Sequence, residues 1–532
     1  MVWMGETLSL TATQNPHRDT MVKRFATCLL TLLLFLWSSR LGTDGYELEY
    51  LLSAKNLLGN GSFAMASAPD GLHGIPERPE GVWILPRHNL LQVLLTVPLY
   101  LAGLPFNHLL PPAGEGLLGL PPGSLALVSL LNPLLTLIAM ALIRGILIDL
   151  GHLSSTAWTA AAVYGIATMA WPYASIGMEP LQITCLLLAF RMFIRLGTKP
   201  DMYQTVLLAV SIAALMHTKI SAPLIALPLA LAGMIRLARG SMPRGRTLAL
   251  YMGILAFAGL MWIHLYRLRS SGIYSAGFFT AFDPALIPRN LMGLLVSPGK
   301  SLPAYNPILL WCVPGVWGFL RRHREEGWVL AATGALTLLL ASAWDWALIE
   351  ESWGPRYAMP IVPIVLIMGA ERFGIAHTSG RKLMFAAVLS VSILVQIPGV
   401  LYPNVRLLEA VHSDETSQVD LTVWIPELSP IRVGAHMIAN QVRRSAGQAE
   451  TSLEWHHYRG IVGMGSQARE LRFETREWNR PYVLPFLAER YLRGVKPGQA
   501  ADEADPGWLM PLWLGVTAVL LFGISGSILS PR

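Results

Sequence analysis

Asp44, Glu47 and Glu49 stand directly after the first apolar run of the chain, in Thr43-Asp44-Gly45-Tyr46-Glu47-Leu48-Glu49-Tyr50. A carboxylate at that point has two roles open to it. Asp44-x-x-Glu47 is a capping-box-like pattern, in which an acid satisfies the backbone N–H groups of a starting helix. An acid at the outer end of a membrane span can instead accept a proton from an incoming hydroxyl or amine, as a general base. Glu47 and Glu49 are alternatives for that base, or shape the field around it.

Glu179 is the second acid of interest. It follows Ala170-Trp171-Pro172-Tyr173 and precedes Pro180 at the start of an apolar run. Complementing a helix N-terminus is one reading of it; orienting an acceptor or a sugar hydroxyl is the other. Lys219, Arg289, Lys300 and Arg356 form a third group, each at or close to the outer end of a predicted span. Such side chains can simply snorkel. A lipid phosphate at that depth nevertheless requires a cation, and Arg offers it a two-pronged fork. Arg356, within Gly354-Pro355-Arg356-Tyr357, is the one for which the phosphate contact is favoured.

His73, His88, His217 and His264 fall towards the outer side without helical ligand spacing, and His456-His457 point to opposite sides of any helix or strand. No metal site is expected from that spacing, and no cofactor is predicted. Walker loops, G-x-G-x-x-G fingerprints and G-x-S-x-G elbows are absent, so nucleotide-powered chemistry has no support. Cys28, Cys185 and Cys312 all lie in apolar runs and imply no disulfide framework.

These residues must be positioned by membrane helices. Of the 532 residues 53% are hydrophobic and only 14% charged, against about a quarter charged in an ordinary soluble domain. The formal net charge of +7 sits largely in short loops between apolar runs, where it sets topology; no nucleic acid partner follows from it. Met21-Val22-Lys23-Arg24 and the run after it read as a signal anchor with its basic end in the cytoplasm. Stretches long enough to span are 22–40, 123–148, 155–172, 179–197, 203–217, 220–238, 247–268, 306–320, 327–345, 356–371, 382–402 and 508–528, about twelve in all.

The basic clusters Arg144; Arg191, Arg195 and Lys199; Arg236 to Arg246; Arg321 to Arg324; and Arg372 to Lys382 all fall inside only if Leu90–Leu104 does not cross. That segment is therefore expected to lie at the outer interface. So is Tyr46–Leu58, which carries Glu49, Ser53 and Asn56 on one polar stripe. The expected domains are a transmembrane catalytic body over 1–402, a polar outer domain over 403–506 and a last span within 507–532.

The chain resembles the polyprenyl-phosphate-dependent glycosyltransferases of the GT-C superfamily, particularly the bacterial branch similar to protein O-mannosyltransferases and aminoarabinose transferases. The resemblance is carried by Thr43-Asp44-Gly45-Tyr46; Ala170-Trp171-Pro172-Tyr173 with Glu179-Pro180; His217-Thr218-Lys219; Leu295-Val296-Ser297-Pro298-Gly299-Lys300 with Tyr305-Asn306-Pro307; and Gly354-Pro355-Arg356-Tyr357-Ala358-Met359-Pro360, in order across 42–365. It implies an all-α polytopic fold with interfacial helices in the first outer loop. Asp44 maps to the catalytic aspartate, with Glu47 and Glu179 as further acids of the site. Many relatives carry an adjacent Asp-Glu pair, whereas here Gly45 follows Asp44.

On this resemblance a polyisoprenyl-phosphate-linked sugar is the donor, its phosphate met by Lys219, Lys300, Arg356, Tyr357 and Arg289. Tyr46, Glu49, His88 and Tyr173 are expected to contact the sugar or the acceptor, which is a lipid, glycan or protein. The site would face the outside of a bacterial or archaeal cytoplasmic membrane. A flippase for lipid-linked sugars and a lipid-linked oligosaccharide ligase or polymerase are the alternative functions. Residues beyond about 403 match no family pattern.

Overall fold

The computed structural model describes residues 16–39, 45–60, 90–108, 121–175, 177, 179–198, 201–239, 244–270, 282–344, 348, 352–374, 379–402, 420–449, 451–458, 466–471 and 509–529. Among them the chain is helical apart from one antiparallel hairpin, Leu453–Tyr458 against Ser466–Leu471, in register from Leu453↔Leu471 to Tyr458↔Ser466. It is a multi-pass membrane protein. Among the described residues, five helices are long and apolar enough to cross a bilayer: Gly123–Asp149, Glu179–Thr198, Ala222–Arg239, Gly245–Leu265 and Ser379–Leu401. Shorter apolar helices, including Met202–Met216 and Leu509–Ile524, lie among them.

Two of the predicted spans are interrupted, each for a local reason. The stretch 155–172 becomes a helix Ser154–Ile166 and a separate turn Ala170–Tyr173. Thr168 Oγ1 donates to the Tyr164 carbonyl at 2.5 Å and accepts from the Ala170 N–H at 3.1 Å, replacing the helical ladder at the break. The stretch 356–371 opens as a 3₁₀ turn, Arg356–Ala358, and becomes α-helical only over Ile361–Met368. Pro355 and Pro360 flank that turn, and neither can donate a backbone hydrogen bond.

After the first apolar helix, helix Gly45–Asn60 packs on helix Leu90–Gly103 through Tyr50, Ala54 and Val93. A neighbouring cluster of Leu51, Tyr100, Leu125 and Val128 joins this pair to the start of the next helix. Ser53, expected on the polar stripe, is fully buried.

Most of the remaining helices share one core, which runs from Leu34 through Ile143, Phe190, Ile212 and Leu366 to Trp513. Ala157, Ala160, Ala161 and Ala162 are buried within it, small enough for neighbouring helices to approach closely. Val423, Leu428, Val433 and Met437 belong to the same core. The described part of 420–445 therefore packs on the membrane body, and the Gly299 N–H donates to the Val423 carbonyl at 3.1 Å.

Charges are segregated along the helices. At the far end of Glu179–Thr198, Arg191 Nε and Arg195 Nε both reach Asp149 Oδ2, at 2.9 and 3.1 Å. Arg236 holds Glu325 at 2.7 Å and Glu326 at 2.9 Å. The end that begins with Glu179 is about 24 Å from Arg195, at 1.5 Å rise per residue.

One buried amide fixes the loop at that end. Gln396, fully buried in helix Ser379–Leu401, donates from Nε2 to the Tyr305 carbonyl at 2.6 Å and accepts from Trp353 Nε1 at 3.4 Å. Gln396→Ala leaves both groups unpaired in an apolar setting. It should lower stability by about 1–3 kcal/mol, read as a lower Tm of the purified protein in detergent.

Candidate functional site

Glu179 opens its helix with a side chain that is 0% exposed. Two cations converge on one of its oxygens: Lys219 Nζ donates to Oε1 at 2.6 Å, and Arg356 Nε stands 3.4 Å from the same atom. Lys219 lies in the short turn between helices Met202–Met216 and Ala222–Arg239, just past His217, which caps the first of them. Arg356 comes from the 3₁₀ turn bounded by Pro355 and Pro360. The Tyr357 ring underlies both, with Lys219 Nζ and Arg356 Cζ each 5.5 Å from its centroid, inside cation–π range. Burial draws the Lys219 ammonium below the ordinary lysine pKa, with Glu179 pulling the other way.

The backbone around Glu179 is shaped for this arrangement. Gly177 has φ +78°, and a Cβ there would stand 2.5 Å from Glu179 Oε2. Asn132 Nδ2 donates to the Gly177 carbonyl at 2.8 Å, and Gln92 Nε2 from helix Leu90–Gly103 donates to Asn132 Oδ1 at 3.4 Å.

Lys300 does a different job from Lys219. Its ammonium donates to the carbonyls of Ser352 at 2.8 Å and Gly354 at 3.0 Å, in a setting where only 3% of the residue is exposed. It thereby staples the loop that carries Arg356. Tyr173 adds a second staple, its hydroxyl donating to the Trp353 carbonyl at 3.1 Å. Trp353 also packs edge-on against Tyr305 with centroids 5.0 Å apart, and Tyr305 donates to the Gly299 carbonyl at 2.9 Å. Asn306 Oδ1 accepts the Met169 N–H at 2.9 Å. The motifs around 170–180, 217–219, 297–307 and 354–357 therefore meet at one end of the helix bundle.

Among the sequence-predicted residues, Glu179, Lys219, Arg356 and Tyr357 form one cluster, with Lys300 and Tyr173 supporting its loop. Arg289 is exposed on helix Ile287–Val296, and the described ion pairs of Glu179 do not include it. Tyr46, Glu47 and Glu49 fall in the first turns of helix Gly45–Asn60. Asp44 and His88 lie outside the described residues. No group of three or more His, Cys, Asp or Glu side chains able to hold a metal occurs among the described residues.

No protein-family model matches the chain, and no curated protein matches it. Among solved structures it is similar to the apo crystal structure of ArnT from Cupriavidus metallidurans, with 12% identity, a TM-score of 0.46, and 96% of this chain and 77% of that chain covered. The structure of the same ArnT bound to undecaprenyl phosphate gives 14% identity, a TM-score of 0.43, and 96% and 78% coverage. The apo oligosaccharyltransferase of Archaeoglobus fulgidus gives 11%, 0.42, and 84% and 62%.

Asn132, Gly177 and Gln396 contribute to the site without belonging to any quoted motif. A lone amide inside an apolar run, as in Leu130-Leu131-Asn132-Pro133 or Leu394-Val395-Gln396-Ile397, was the available signal. Polar groups at such depth are costly and therefore tend to have a job.

Lys219→Met removes the closest partner of a carboxylate that has no access to water. Because Arg356 stays on the same oxygen, the single substitution should cost about 1–3 kcal/mol, and pairing it with Glu179→Gln should not restore that, since buried Arg356 is then left without its carboxylate. Thermal unfolding of the two single variants and the double variant measures the coupling directly.

Proposed function

We propose that this protein is a membrane glycosyltransferase that moves a sugar from a polyisoprenyl-phosphate donor to an acceptor at the outer membrane face. The observation that carries the reading is the buried Lys219–Arg356 pair seated on Tyr357. Two cations at the end of a helix bundle, held over an aromatic ring, suit the phosphate of a lipid whose tail lies in the bilayer. The arginine-rich belt at the opposite helix ends supports assigning that belt to the cytoplasm and the Glu179 end to the outside. Glu179 itself, neutralised by both cations, is poorly suited to act as a base.

In the proposed reaction Asp44 takes the proton of the acceptor hydroxyl or amine. The acceptor's lone pair forms the new bond to the anomeric carbon, from the face opposite the lipid phosphate. The bond from that carbon to the phosphate oxygen breaks, and its electron pair stays on the phosphate. The anomeric configuration inverts. Because the leaving group is a phosphate, no general acid is required, and Lys219 and Arg356 offset its growing charge. Glu47 assists Asp44 from the first turn of its helix. Tyr46, Glu49 and His88 line the path of the sugar or the acceptor, which is a lipid, glycan or protein. Lys300 and Tyr173 hold the Arg356 loop.

Purified protein supplied with a polyprenyl-phosphate sugar and an acceptor should release free polyprenyl phosphate. Asp44→Asn should cut that release by about 10²–10⁴-fold while donor binding stays near wild type. Arg356→Gln should weaken binding and turnover together. Transfer by Asp44→Asn at the wild-type rate would defeat the mechanism.

A further inference from the structure

The charge balance of the Glu179 cluster goes beyond recognition of a phosphate. One buried carboxylate shares its Oε1 between two buried cations. The other nearby ammonium, that of Lys300, is directed at the Ser352 and Gly354 carbonyls. Glu179 has little freedom to leave. Its Oε2 lies against Gly177, whose carbonyl is pinned by Asn132, and its Oε1 is shared by both cations. Its place at a helix N-terminus further favours the ionised form. A permanently installed anion beside two phosphate-binding cations is not needed for affinity, since it competes with the ligand for both.

We infer that Glu179 is a specificity-determining residue that matches the site to a singly charged phosphodiester and against a lipid diphosphate. The inference rests on the lipid-phosphate reading above and deepens it. A sugar joined to a lipid through one phosphate carries one negative charge. A diphosphate linkage brings at least one charge more, and that charge meets the Glu179 carboxylate in a poorly solvated site. Selection of this kind works by repelling the wrong ligand as much as by holding the right one. It also bears on release. After transfer the lipid is left with a phosphate monoester, whose second ionisation adds charge, so the spent carrier is held less tightly than a site without Glu179 would hold it.

The test uses full-length protein in nanodiscs and three probes with one isoprenoid chain: farnesyl methyl phosphate, farnesyl phosphate and farnesyl diphosphate. Wild-type protein should bind the methyl diester at least as tightly as the diphosphate. In Glu179→Gln the diphosphate-to-diester affinity ratio should rise about tenfold, the order of one screened charge interaction at a partly buried site, with farnesyl phosphate between the two. A wild-type protein that prefers the diphosphate by tenfold or more overturns the inference without any variant. So does a Glu179→Gln protein whose ratio is unchanged or whose three affinities fall equally. If wild type binds none of the probes, the lipid-phosphate reading falls, and the inference with it.

Discussion

Burying a carboxylate in the core of a membrane protein is among the most expensive things a sequence can do, and the Glu179 end of this molecule is arranged around having done so. An ionised group out of water must be answered by charge and by hydrogen bonds, or it becomes neutral. Here Lys219 and Arg356 answer it from elements far apart in the chain, at 2.6 and 3.4 Å. That requirement fixes where the turn after Met216 must lie and where the Arg356 turn must enter. It also explains why the residue two before Glu179 is a glycine with positive φ: any side chain there would take the space of the carboxylate.

The loop 352–357 shows how such a position is held without regular structure. Its carbonyls are claimed by Lys300 and by the Tyr173 hydroxyl, and Trp353 is set by Tyr305 and Gln396. Gly354 adopts φ +66°, with the Tyr305 ring too close to admit a Cβ. The short motifs around 170–180, 217–219 and 297–307 each supply one or two contacts to this common loop. This accounts for their weakness one by one and for their coherence as an ordered series.

The general architecture was legible in the apolar runs, which do not depend on tertiary contacts. Helices Met202–Met216, Ala222–Arg239 and Ile308–Arg322 lie within a few residues of where hydropathy put them. The breaks at Thr168 and at Arg356–Ala358 were not foreseen, because a side-chain bond to the backbone and a proline pair act below the resolution of an apolar window. Within the site, Glu179, Lys219 and Arg356 were each singled out, but not as partners. Lys219 and Glu179 are 40 residues apart, and no local pattern encodes such a pairing. Lys300 was expected on a phosphate and is found on two carbonyls. A lysine at a span end looks the same in sequence whether it meets a ligand or the chain itself.

Helix Glu179–Thr198 is fastened at both extremities, by Lys219 and Arg356 at one end and, through Arg191 and Arg195, by Asp149 at the other. A rod anchored in this way resists sliding along its own axis, since a one-turn ratchet would break both sets of ties at once. Rocking of two half-bodies, by which carriers expose a cargo alternately to either side, would have to leave this rod and everything tied to it within one moving half. The molecule is built around one helix tied to its neighbours at both ends.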